Sequence, residues 1–139
     1  MKTGLDLLLA AVLFAALPAS AQDEAKVSGA EAAALSWLAL TDRGDYGASW
    51  AQAATAFQGS ISQANWTNAL LNARTPLGAL HSRKVMAARY ARSLPGAPDG
   101  EYVVIQYTTE FEHKAGAVET VTPMLQPDGT WKVSGYFIR

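Results

Sequence analysis

Between Ser28 and Thr75 the apolar residues recur every three to four positions, and beyond Pro76 they recur every second position. This change of period predicts helices first and strands afterwards. Ser28 and Glu31 form a capping-box pair that predicts the start of a helix, with Ala30, Ala34, Trp37, Leu38 and Thr41 on its buried face. Gly44 is placed to end it. Asp45 is placed to cap a second helix with the face Tyr46, Trp50, Ala53, Ala54 and Phe57, ended by Gly59. Ser62 caps a third, in which Ile61 and Trp66 make a hydrophobic staple and Trp66, Ala69, Leu70 and Ala73 point inward; Pro76 stops it.

From Tyr102 to Glu112, Val103, Ile105, Tyr107, Thr109 and Phe111 alternate with Gln106, Thr108, Glu110 and Glu112, as in a strand with one wet face. Trp131, Val133 and Phe137 repeat the pattern. Asp99-Gly100, Lys114 to Ala117 and Pro127-Asp128-Gly129 read as turns, so four antiparallel strands in a meander are expected. The first strand, about Leu80 to Leu94, is the least regular. Its adjacent Val85, Met86, Ala87 and Ala88 predict a bulge near the middle. Three helices followed by four strands bury their apolar surfaces best with the helices on one face of the sheet, an α+β fold.

Ahead of this domain stands a different pattern. Lys2 precedes an unbroken apolar run from Leu7 to Leu17, and Pro18 leads into Ala19-Ser20-Ala21 before Gln22. These are the marks of a secretory signal peptide, residues 1–21, cleaved between Ala21 and Gln22. The run is about half of what a bilayer-spanning helix needs. What remains, residues 22–139, is the size of one ordinary domain and large enough to hold a core without metal or disulfide.

Composition narrows the chemistry. The chain has no cysteine, which excludes thiol catalysis, disulfides and a lipid anchor on a cysteine at the cleavage site. Eleven basic and twelve acidic side chains nearly cancel and form no long run, so neither nucleic acid nor a membrane surface is an implied partner. His81 and His113 lie too far apart to suggest a metal site, and no serine sits in a nucleophile elbow. Arg43-Gly44-Asp45 resembles an adhesion tripeptide and Asn65-Trp66-Thr67 a glycosylation acceptor. Both are explained by their places in helix ends and a helix interior.

Four stretches carry a family resemblance: Arg74-Thr75-Pro76-Leu77-Gly78, then Leu94 to Tyr102, Glu119-Thr120-Val121-Thr122, and Asp128 to Ile138, with Trp50 and Trp66 upstream. Together they resemble the small exported bacterial proteins grouped as domain of unknown function 4019. The resemblance implies an exported bacterial domain of cystatin-like or NTF2-like shape, with no catalytic residues to transfer.

Trp66, Tyr107, Phe111 and Trp131 are candidates for a ligand pocket or for core, and Arg74 and Glu119 for ion pairing. Glu110, Glu119, Tyr90 and Tyr107 supply the residue types of a carboxylate base and tyrosine donor. Alternation places Glu110 opposite Tyr107, which separates that pair. The expected function is a non-catalytic domain, without cofactor or metal, that binds a small apolar ligand or an envelope protein. It is expected in the periplasm or secreted, with no membrane anchor after cleavage. The alternative is a proton-transfer enzyme with a pocket carboxylate and tyrosine. Self-association through Trp131 to Arg139 is a third reading.

Overall fold

The computed structural model describes residues 18–139; the apolar run from Leu7 to Leu17 lies outside them. Four helices, α1 (Ala19–Asp42), α2 (Tyr46–Ala51), α3 (Thr55–Ser60) and α4 (Gln63–Arg74), precede four strands, β1 (Leu80–Ala91), β2 (Tyr102–Phe111), β3 (Lys114–Leu125) and β4 (Trp131–Ile138). The strands form one antiparallel sheet in the order β1-β2-β3-β4. This is an α+β fold with an open sheet. Its edges are β1 and β4.

The long helix α1 touches all four strands. Ala30, Ala34, Trp37, Leu38 and Thr41 are buried on it, together with Leu40. Opposite them lie Val103, Ile105, Tyr107, Thr109 and Phe111 of β2, each buried, while Val104, Gln106, Thr108 and Glu110 are half-exposed on the other side. The alternation expected for β2 therefore selects the face that meets the helices. The bulge expected in β1 falls between Val85 and Ala87.

Local expectations need correction along three stretches of the chain. Ser28 does not start the first helix; α1 begins at Ala19, nine residues earlier. No Gly or Pro interrupts residues 19–28, and Lys26 ties this extra length to the sheet through a salt bridge of 2.6 Å to Glu101. The glycine after Ser28 serves a close approach. A Cβ at Gly29 would stand 3.3 Å from the indole nitrogen of Trp131.

The second expected helix is two, which makes four helices in place of three. At the break the Ala54 amide donates to the carbonyl of Val133 in β4, 2.8 Å away, instead of extending α2. At the end of α2 the carbonyls of Trp50 and Ala51 accept from the side-chain amide of Gln58, and that of Trp50 also from the Ala53 amide. Asp45 precedes α2 without capping it, since its carboxylate pairs with Arg43. Ser62 does cap α4, accepting from the Asn65 amide, yet Ala69 and Ala73 are exposed there and Arg74 is buried.

The third correction concerns Lys114 to Ala117, which are strand. The turn is the two residues Glu112 and His113, and the irregularity around Gly116 is absorbed as a register shift whose amide is held by the Glu110 carboxylate. Against this turn lies Gly78, at φ 75° and ψ −157°, a region open only to glycine; a Cβ there would be 2.9 Å from Glu112 and from His113.

Candidate functional site

At one end of the molecule, four charged side chains from four elements close on one another beneath the helices. Asp42 ends α1, Arg74 ends α4, Arg83 stands near the start of β1 and Glu119 lies in β3. The Glu119 side chain is fully buried, and those of Arg74 and Arg83 are 4% and 8% exposed. Two acids balance two bases, which is what lets such groups leave water.

Arg83 is the centre. Its guanidinium forks onto Asp42, with Nη1 donating to Oδ2 at 2.8 Å and Nη2 to Oδ1 at 2.9 Å. A second fork reaches Glu119, with Nε to Oε1 at 2.7 Å and Nη2 to Oε2 at 3.2 Å. Such paired contacts use the planar donor array that lysine lacks. Arg74 donates to Asp42 at 2.9 Å and to the Thr41 hydroxyl at 3.0 Å, and its guanidinium lies 4.9 Å from the centre of the Phe111 ring. Thr109 donates to Glu119 Oε1 at 2.6 Å, and the Tyr136 hydroxyl donates to Oε2. Glu119 thus receives four hydrogen bonds.

These contacts set the protonation of the site. Burial alone disfavours the Asp42 carboxylate, but hydrogen bonds and charge from Arg83, then Arg74, outweigh it and hold its pKa below the ordinary value. Burial also works against the Arg83 cation, yet Asp42 and Glu119 raise its pKa further. Burial first, then the neighbouring Glu119 charge, raises the Tyr136 phenol, so it stays a donor. Tyr107 is pushed up to about 12, mainly by burial.

A carboxylate with a lowered folded pKa adds stability above its unfolded pKa and loses it as pH falls through the folded one. Asp42→Asn is therefore expected to be less stable than the parent at pH 7, with the gap narrowing below about pH 4. Urea midpoints of both proteins at pH 7 and pH 3 check this. A gap that stays constant across that range contradicts it.

Arg74 and Glu119 are both in this network, but their salt bridges are to Asp42 and Arg83 rather than to each other. Glu110 and Tyr107 lie on opposite faces, as alternation requires. Tyr90 is remote, donating to Glu101 beside Lys26. Of the pocket-or-core candidates, Tyr107 and Phe111 are core. Trp66 packs edge-on to Phe57 at 4.8 Å and donates to Ser49. Trp131 lines a groove of about 280 Å³ with Trp37, Ala33 and Gln52.

Other openings are a groove of about 620 Å³ between the start of α1 and β1, and one of about 260 Å³ between α4 and the end of β4. Neither is lined by Asp42, Arg83 or Glu119. Among the described residues, no cluster of His, Asp and Glu is grouped to hold a metal ion, and no helix is long and apolar enough to cross a membrane.

Sequence reasoning passed over Arg83 and Asp42. The signal was available for Arg83: it pairs with Thr109 in the β1–β2 register, so it shares the buried face. The irregular middle of β1 hid that phase.

The family model for proteins of unknown function designated DUF4019 matches residues 33–136. The chain belongs to the DUF4019 family. The matched span takes in all four charged residues of the network and most of the helix–sheet core of the DUF4019 domain. No curated protein matches this DUF4019 chain, and no solved structure does.

Proposed function

We propose that this DUF4019 domain is a non-catalytic binding module that acts outside the cytoplasm and engages a protein partner through its surface. The observation that carries the reading is the state of Glu119. It is where a buried carboxylate meets a tyrosine, and its oxygens already accept from Arg83, Thr109 and Tyr136; the other such pair, Glu101 with Tyr90, is part-exposed and neutralised by Lys26. A general base needs a lone pair facing substrate. The Glu119 carboxylate offers none, which weighs against the proton-transfer reading.

Of the two occupants expected from the sequence, the protein partner is better supported. Tyr107 and Phe111 are consumed by the core, and the openings are grooves at the surface rather than an enclosed apolar chamber. Export rests on the signal-like residues 1–21. Cleavage after Ala21 would fall in the first turn of α1 and leave Gln22 as the mature start.

Crosslinking in the native host, followed by N-terminal sequencing and mass spectrometry of the recovered protein, tests both halves. The expected result is a chain beginning at Gln22 with one recurrent protein adduct. A full-length chain overturns the export reading. A bare monomer, or a co-purifying small molecule without protein adducts, overturns the partner reading.

A further inference from the structure

The last strand leaves part of its backbone unpaired. Arg139 exchanges both of its hydrogen bonds with Val118 of β3, so by antiparallel alternation the amides and carbonyls of Ile138 and Tyr136 point away from the sheet. The first half of this edge is closed by the Ala54 amide on Val133. The second half is flanked by the groove of about 260 Å³ lined by Trp66, Ala69, Leu70 and Ala73 of α4 with Tyr136, Phe137 and Ile138. Phe137 is 47% exposed and Leu71, also on α4, is 46% exposed. Open strand edge and apolar groove therefore adjoin.

Charge selects the occupant. Neither α4 nor β4 contains an acidic side chain. The Arg139 guanidinium lies 5.3 Å from the centre of the Phe137 ring, on the sheet face away from the helices, and Lys132 is exposed farther along the strand. A strand laid against Tyr136 to Ile138 would put alternate side chains into the α4 groove and the others beside Arg139. We propose that this edge receives an extended segment of a partner protein in which apolar residues alternate with acidic ones. The assignment rests on the partner-binding reading above and names its site and chemistry. Self-pairing of two such edges would join two fringes that carry Lys132 and Arg139 and no acidic side chain from α4 or β4.

The test uses two fluorescein-labelled octapeptides, one alternating glutamate with valine and one alternating lysine with valine, titrated with the protein and followed by anisotropy. The acidic peptide is expected to bind at least about tenfold more tightly, with affinity falling as salt rises. Ile138→Pro removes an outward amide without breaking the ladder, and Ala69→Arg fills the groove from an exposed helix position. Each is expected to weaken binding by about tenfold or more at an unchanged urea midpoint, and Arg139→Glu to cancel the preference for the acidic peptide.

Equal binding of the two peptides overturns the proposal, as does no binding of the acidic one up to about 1 mM. So does a concentration-dependent dimer that Ile138→Pro abolishes, because a second copy is then the occupant. Crosslinks in the native host that map to another face would sink this site while leaving the partner-binding reading intact.

Discussion

Glu119→Ala is expected to cost about 3–5 kcal/mol, the range found when one partner of a buried ion pair is removed. The loss comes from what remains behind. Arg83 keeps Asp42 but loses both contacts of its second fork, and the hydroxyls of Thr109 and Tyr136 lose the carboxylate they donate to. In a domain of this size the melting temperature should fall by roughly 10–20 °C. The double variant Glu119→Leu with Arg83→Met removes the stranded cation as well, and is expected to regain much of the loss, since a buried pair seldom outweighs well-packed apolar groups by much. Urea unfolding followed by tryptophan fluorescence measures both. A single variant within about 1 kcal/mol of the parent would show that water or another group replaces the carboxylate.

Trp37→Ala should be similarly damaging, by about 3–5 kcal/mol, for a different reason. Its indole is 4% exposed and stands between Trp66, at 6.2 Å between ring centroids, and Tyr136, at 5.2 Å in an edge-on arrangement. Its ring nitrogen donates to the Ser49 carbonyl at 2.8 Å, which ties α1 to α2. Removing it opens a cavity and loosens the ring of the tyrosine that reaches Glu119. Trp37→Phe keeps much of the volume and should lose less than half as much. Equal losses in the two variants would place the effect in the Ser49 hydrogen bond rather than in packing.

Much of the fold was legible because it rests on period. The buried face of β2 follows from strict alternation, and the face Ala30, Ala34, Trp37, Leu38, Thr41 follows from helical spacing. What the pattern misplaced were boundaries decided by distant partners. The capping signal at Ser28 was overridden by a helix anchored through Lys26 to Glu101, 75 residues away. The second helix broke at Ala54 because strand β4 takes its amide.

The candidate site was less legible for the same reason. Arg74 and Glu119 stood out, but the residues that bind them, Asp42 and Arg83, lie 32 and 36 positions from them in sequence. Nothing local marks Asp42 as buried, and the irregular middle of β1 hides the phase that would mark Arg83. The acceptor at the end of α1 is unfavourable to its own helix dipole, and only the two arginines from elsewhere make it tolerable.

That long-range closure bears on the order of assembly. The four strands join consecutive neighbours, so the sheet can form by successive hairpins with little loop entropy to overcome. The charged quartet cannot form until the ends of α1 and α4 have settled over the sheet, because each charge is useful only when all have lost water together. The quartet is therefore expected to close in the final stage of folding. Contacts made after the rate-limiting step act chiefly on escape from the native state, so the quartet serves as a brake on unfolding more than as a guide to it.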